Sequence, residues 1–237
     1  MRISMWSGPR NISTAIMYSF RQRSDMEVFD EPLYGHYLVH TGIDHPGRLE
    51  TMAAMECDVR KIIDNVLLAD GDTKHRFYKN MGHHLVGVDL SVLNGMTNIL
   101  LTREPREMLP SLFEGFPGAD IDSTGLVNQI GLLDMMLARN EVPIVLDSRQ
   151  VLLNPKVVLS KLCNRLEIPW EVAMLSWEAG PKPEDGLWAR HWYANVHRST
   201  GFAEYRPKTE PFPDHLRTLL ERCMPLYDRL REFAIQA

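Results

Sequence analysis

The chain is poor in the features that mark several large classes of protein. It has only three cysteines, Cys57, Cys163 and Cys223, far apart and never arranged as CxxC. Such a set supplies no disulfide framework and fits a reducing cytosol. No strictly apolar run exceeds four residues. A transmembrane helix needs about 20 apolar residues, so none is expected, and the start lacks the apolar segment of a secretory signal. Positive charge is not in excess, because 26 Lys+Arg stand against 31 Asp+Glu for a net charge of -5. Without a basic field, neither nucleic acid nor an anionic membrane is an expected partner. Zinc spacings such as HExxH, the GxSxG nucleophile elbow and the Walker loop GxxxxGK[ST] are also missing. Of the 237 residues, 44% are hydrophobic and 24% charged, near the globular average. Together these features predict a soluble, cytoplasmic, single domain over residues 1–237.

What is present is an alternation of short apolar strands and amphipathic helices. Arg2 to Trp6 reads as a strand with Ile3 and Met5 on one face. SGPRN breaks it, and a helix follows from Ser13 to Arg23. Further strands are expected at Met26–Phe29, Arg76–Lys79, Asn98–Thr102 and Val142–Leu146. Helices are expected over Leu49–Leu68 and Leu126–Arg139, after Glu104-Pro105, after Asn154-Pro155 and from Asp214, the last kinked by Pro225. From Leu33 to Lys74 the signal is poor, with Gly, His and Pro scattered through Tyr34 to Arg48 ahead of the Leu49–Leu68 helix, and Trp188 to Phe202 has no clear period. Alternation of this kind predicts an α/β fold, three layers with a central parallel sheet.

Two segments carry candidate chemistry. Gly8 to Thr14 joins the first strand to the first helix, the usual setting for holding a phosphate on unpaired helix N–H groups. Arg10 adds positive charge there, and Ser13 and Thr14 add hydroxyls; a plain helix cap is the alternative use of those two. Arg103 follows an apolar strand, and Ser111 lies eight residues later on the next helix. An arginine at the carboxyl end of such a strand sits where open α/β sheets bind ligands, and its guanidinium can clamp a phosphate. The alternative is a surface ion pair with Glu104 or Glu107.

In this order and context, the two segments resemble the sulfotransferase family, whose donor is 3'-phosphoadenosine 5'-phosphosulfate (PAPS). Pro9-Arg10-Asn11-Ile12-Ser13-Thr14 is similar to that family's 5'-phosphosulfate loop, and TREPREMLPS, from Thr102, to its 3'-phosphate motif, with Arg103 and Ser111 at the contacting positions. The stretch from Leu146 to Trp170 resembles a later strand and helix of the family. Ile12 replaces a customary glycine, Pro110 removes a backbone donor before Ser111, and the C-terminal GxxGxxK motif is absent. The resemblance offers His197 to Phe202 as the analogous loop, with Arg198, Ser199 and Gly201 as further candidates for the 3'-phosphate; a surface loop with a glycine turn is the alternative.

The resemblance implies a P-loop-like fold, PAPS as donor, PAP as product and a small-molecule hydroxyl or amine as sulfonate acceptor, with no metal. In-line transfer needs cations to meet charge and a base to take the acceptor's proton. Arg10 and Lys79 are the candidate cations. Lys79 resembles the lysine of the cytosolic enzymes' KTH segment, although Met81 stands where their histidine would be. Glu31, after the second strand, resembles the glutamate base of the carbohydrate-type and bacterial branches; capping the helix after Pro32 is its alternative role. His36, His83 and His84 are reserve bases, since an unperturbed imidazole titrates near ~6.5. A nucleotide-dependent kinase and a non-catalytic nucleotide-binding module are the competing functional readings.

Overall fold

The computed structural model describes residues 1–237. Five strands form one sheet: β1 (Arg2–Ser7), β2 (Met26–Asp30), β3 (His75–Met81), β4 (Thr97–Thr102) and β5 (Ile144–Asp147). They lie in the order β2-β3-β1-β4-β5 and every pair is parallel. Helix α1 (Ser13–Arg21) joins β1 to β2, and α2 (Tyr34–Thr41), α3 (Arg48–Ala54) and α4 (Val59–Ile62) precede β3. Helices α5 (Pro105–Gly115) and α6 (Leu126–Ala138) link β4 to β5. After β5 come α7 (Ser148–Leu153), α8 (Pro155–Arg165), the short α9 (Ala189–Trp192) and α10 (Ala194–His197), and α11 (Arg217–Arg231).

A parallel sheet is buried on both faces, and the pleat sends alternate side chains to opposite cores. Ile3 and Met5 of β1, Phe77, Ile99 and Leu101 pack with α1 and α8 on one side. Trp6, Tyr78, Leu100 and Val145 pack with α5, α6 and α11 on the other. The result is the expected three-layer α/β/α arrangement. No helix is long and apolar enough to cross a membrane.

The strand order fixes where a ligand can lie. From β1 the chain leaves toward β2 on one side, and from β4 it leaves toward β5 on the other. These two strands are neighbours, so the loops at their carboxyl ends diverge and open a crevice. Gly8 begins the first of those loops, and a Cβ there would lie 2.4 Å from the Thr124 carbonyl oxygen. Only glycine fits that approach.

Some expectations are corrected. The helix expected over Leu49–Leu68 is broken at Glu56–Asp58; the Asp58 side chain accepts from the N–H groups of Arg60 and Lys61 and starts a new helix. Val142 lies outside β5 and is 72% exposed. The poorly patterned stretch after Leu33 holds α2, and the aperiodic aromatic stretch holds α9 and α10.

Candidate functional site

The loop after β1 is held by its own side chains. Arg10 takes a left-handed backbone, φ 55. The Asn11 amide donates to the Leu101 carbonyl of β4 at 3.2 Å, and its oxygen accepts from the Ile12 N–H at 2.8 Å. Helix α1 then opens with no side-chain cap; its first internal bond runs from the Ile16 N–H to the Ile12 carbonyl. The N–H groups of Ser13, Thr14 and Ala15 therefore have no partner in the chain. The capping role for Ser13 and Thr14 is not what the structure shows.

Arg10 and the β4 segment meet across this opening. The Arg10 Nε donates to the Ser111 Oγ at 2.8 Å, and an Arg103 Nη donates to the Arg10 carbonyl at 2.7 Å. Arg103 also pairs with Glu107, Nε to carboxylate 3.5 Å, so the surface-pair alternative is present as a second contact. Two guanidiniums, a serine hydroxyl and three free N–H groups at a helix N-terminus make a site suited to an anion.

A second corner forms at the ends of β2 and β3. Lys79 is only 1% exposed. Its ammonium donates to Asp30 at 2.8 Å, to Glu31 and to the Tyr193 hydroxyl. That hydroxyl donates in turn to Asp30, and the Lys79 ammonium lies 4.9 Å from the Tyr193 ring centroid. Burial alone would push Lys79 down, but Asp30 and Glu31 outweigh it and hold the ammonium well above its ordinary value. Burial pushes the Glu31 carboxyl up, opposed by Lys79 and helped by Asp30. Glu31 is another left-handed residue, φ 49, and its N–H donates to the Lys79 carbonyl at 2.8 Å. Neither Asp30 nor Glu31 caps α2, which opens at Leu33 without a side-chain bond.

Both corners line one cavity of about 450 Å³, together with Pro9, Asn11, Ile12, Ser13, Thr14, Ser199 and Gly201. Arg198 is not brought there: it is exposed and donates to the Asn195 side chain at 2.6 Å. The Ser199 hydroxyl is already engaged, donating to the Val196 carbonyl and accepting from the Trp177 indole. Of the reserve bases, His36 is bound to the Val86 carbonyl and does not line the cavity. His83 and His84 do line it, but burial lowers His83 to about 3 and His84 well below its ordinary value. Neither is the near-neutral base that an unperturbed imidazole would supply. Trp188 and Tyr193, which close the cavity with Tyr34, come from the aperiodic stretch before Phe202 and carried no local signal of a site.

Fold and site together define a three-layer α/β protein with an anion-fit loop at the carboxyl edge of its sheet. The chain belongs to the sulfotransferase domain family, whose sequence model, described as "Sulfotransferase domain", matches residues 1–234. Among curated proteins it is similar to "Branched-chain-amino-acid aminotransferase-like protein 2" of Arabidopsis thaliana, 40% identical over 230 residues. "Branched-chain-amino-acid aminotransferase-like protein 1" of the same plant is 39% identical over 230 residues. Each match covers 97% of this chain and 41% of the relative, so the chain spans less than half the length of the proteins that bear those names. Among solved structures, "Sulfotransferase Domain from the Curacin Biosynthetic Pathway" superimposes with a TM-score of 0.55 at 13% identity, covering 94% of this chain and 96% of that one. "Sulfotransferase Domain from the Synechococcus PCC 7002 Olefin Synthase" gives 0.54 at 14% identity, covering 94% of each. At such identities the likeness is one of fold.

Proposed function

We propose that this protein transfers a sulfonate group from PAPS to a small-molecule acceptor. The observation that carries this reading is the meeting of Arg10, Ser111 and Arg103 beside the unpartnered N–H groups of Ser13 to Ala15. That set suits a ligand with two separated anionic groups: the loop and helix N-terminus hold the phosphosulfate, and Arg103 with Ser111 holds the 3'-phosphate. PAPS supplies a sulfonate on a phosphate leaving group. The acceptor oxygen forms the new S–O bond, the bond to the phosphate breaks with its electron pair on that phosphate, and Glu31 takes the acceptor's proton.

Arg10 and Lys79 meet the negative charge on the group in transit, a role for fixed cations in a site screened from water. Burial suits Glu31 to its role, because a raised carboxyl is a stronger base than an exposed one. Lys79 keeps it oriented. A kinase is disfavoured because the loop from Gly8 to Thr14 has no lysine to reach a nucleotide's terminal phosphates.

Thermal denaturation with added ligand tests the donor. PAP at ~100 times its dissociation constant stabilises the native state by about 2.7 kcal/mol, which for a chain of this size raises Tm by roughly 5–10 °C. ATP with Mg²⁺ is expected to shift it less. An equal or larger shift with ATP favours the kinase.

A further inference from the structure

Asp30 and Glu31 share one ammonium, and the two carboxylates are bonded very differently. Asp30 accepts from Lys79 at 2.8 Å and from the Gly186 N–H at 3.2 Å. Its oxygens also lie 2.8 and 2.9 Å from the donating Tyr193 hydroxyl. Glu31 accepts from Lys79 alone, through Oε1. The Asp30 side chain is 0% exposed and does not line the cavity, whereas Glu31 is 10% exposed and does.

With both carboxylates ionised, this buried cluster carries one net negative charge, and a single proton makes it neutral. Carboxyls this close take that first proton as a pair, and the bonding decides where it rests. A carboxylate that accepts several hydrogen bonds keeps its charge, and one that accepts a single bond gives it up first. Asp30 is the first kind and Glu31 the second. The groups around them leave this unchanged. Tyr34 of α2, Tyr18 of α1 and Tyr193 are kept uncharged by burial, as is His84 after β3. Behind Tyr193, His197 and Asp185 bond each other at 3.0 Å, and Arg10 is engaged with Ser111 on the anion side.

We propose that Asp30 is a positioning residue for Glu31: held by Tyr193 and Gly186 as the permanent counter-ion of Lys79, it keeps the cluster's one exchangeable proton on Glu31, at the cavity wall. This inference rests on the sulfonate-transfer reading, in which the acceptor's O–H bond breaks and its proton passes to the Glu31 carboxylate. That transfer leaves the cluster neutral. The charge on Asp30 opposes Lys79 at Glu31, and makes Glu31 a stronger base than a lone Glu–Lys pair would be.

Carbon-13 NMR of the full chain, with Asp and Glu carboxyls labelled and assigned through the backbone, tests this with neither donor nor acceptor. The Glu31 signal is expected to titrate above 4.5, and the Asp30 signal to have its midpoint below about pH 4. An Asp30 signal that titrates with Glu31, or ahead of it, overturns the proposal. Release of PAP from PAPS to water, followed against pH, gives a second readout. Asp30→Asn removes the charge but leaves an oxygen for Tyr193. Its acidic limb should move down by about 1–3 pH units and its plateau fall about tenfold, with PAP affinity unchanged. A purely structural Asp30 would lower the rate at every pH without moving the limb, and that result also overturns the proposal. If Asp30→Asn does not fold, Tyr193→Phe serves: it keeps the ring over Lys79 and takes a donor from Asp30, whose midpoint should rise by about one pH unit. An unmoved midpoint counts against the proposal in the same way. The expected titrations with PAP rejected sink the donor reading alone. Reversed titrations with PAPS turned over sink the assignment of Asp30 alone.

Discussion

Glu31 is held by a buried ammonium, takes a left-handed backbone and has a carboxyl pushed up by burial. As the base it must be ionised, so turnover is expected to fall as pH drops through a value above the ordinary 4.5. Glu31→Gln keeps an acceptor for Lys79 but cannot take a proton; the sulfonation rate should drop roughly 10²–10⁴-fold with PAP affinity intact. A rate profile without that acidic limb, or normal turnover in the variant, removes Glu31 from the chemistry. Arg103 invites a different comparison. Arg103→Ala should weaken PAP by about 1.5–3 kcal/mol, roughly 10- to 150-fold, and leave adenosine 5'-phosphosulfate, which has no 3'-phosphate, nearly unaffected. Equal losses for both ligands would mean that Arg103 acts through the Arg10 carbonyl it holds. Arg103 and Glu31 were legible in the sequence because each directly follows a strand, and Arg10 because it lies in the loop that leaves β1; strand ends are set by local pattern. Tyr193 was not, because its bond to Asp30 spans 163 residues. The shifts at His83 and His84 were equally hidden, since they come from packing against Tyr37 and Tyr34.

At the scale of elements, the strands were readable because a sheet buried on both faces leaves short, nearly continuous apolar runs. The helices before β3 were harder. The helical pattern from Leu49 to Leu68 hid a local competitor, the Asp58 carboxylate, which takes N–H groups that a continuous helix would have bonded internally. The end of α8 shows the opposite case, where local chemistry is strained in place. Ile168 N–H bonds to the Cys163 carbonyl and Glu167 N–H to the Asn164 carbonyl, closing the helix with Glu167 at φ 56. That position favours glycine, which has no Cβ to crowd the carbonyl. Glu167→Gly is expected to stabilise the fold by about 0.5–1 kcal/mol, raising Tm by roughly 1–4 °C, without changing PAP binding. A lower Tm would show that the Glu167 side chain supports the helix end in some other way.

For the molecule as a whole, buried imidazoles set the response to acid. Burial lowers His45, His75, His83 and His84, with His83 at about 3. The unfolded chain takes up these protons near ~6.5 while the folded chain stays neutral, so stability is full above that value and declines as pH falls toward 3. Glu31, raised by burial, runs the other way, but as one group against four. The urea midpoint should therefore drop between pH 7 and 5, and His83→Gln should flatten that slope; a midpoint that stays level would mean that the folded protein charges its histidines as readily as the unfolded chain. The bond from Tyr193 back to Lys79 has a consequence for how the protein is made. All five strands and both arginines are in place by residue 147, whereas the ring that covers Lys79 comes 114 residues after it. A nascent chain thus completes its anion cradle first, and the aromatic chamber beside it is finished only when residues 188–197 emerge and fold back onto the sheet edge.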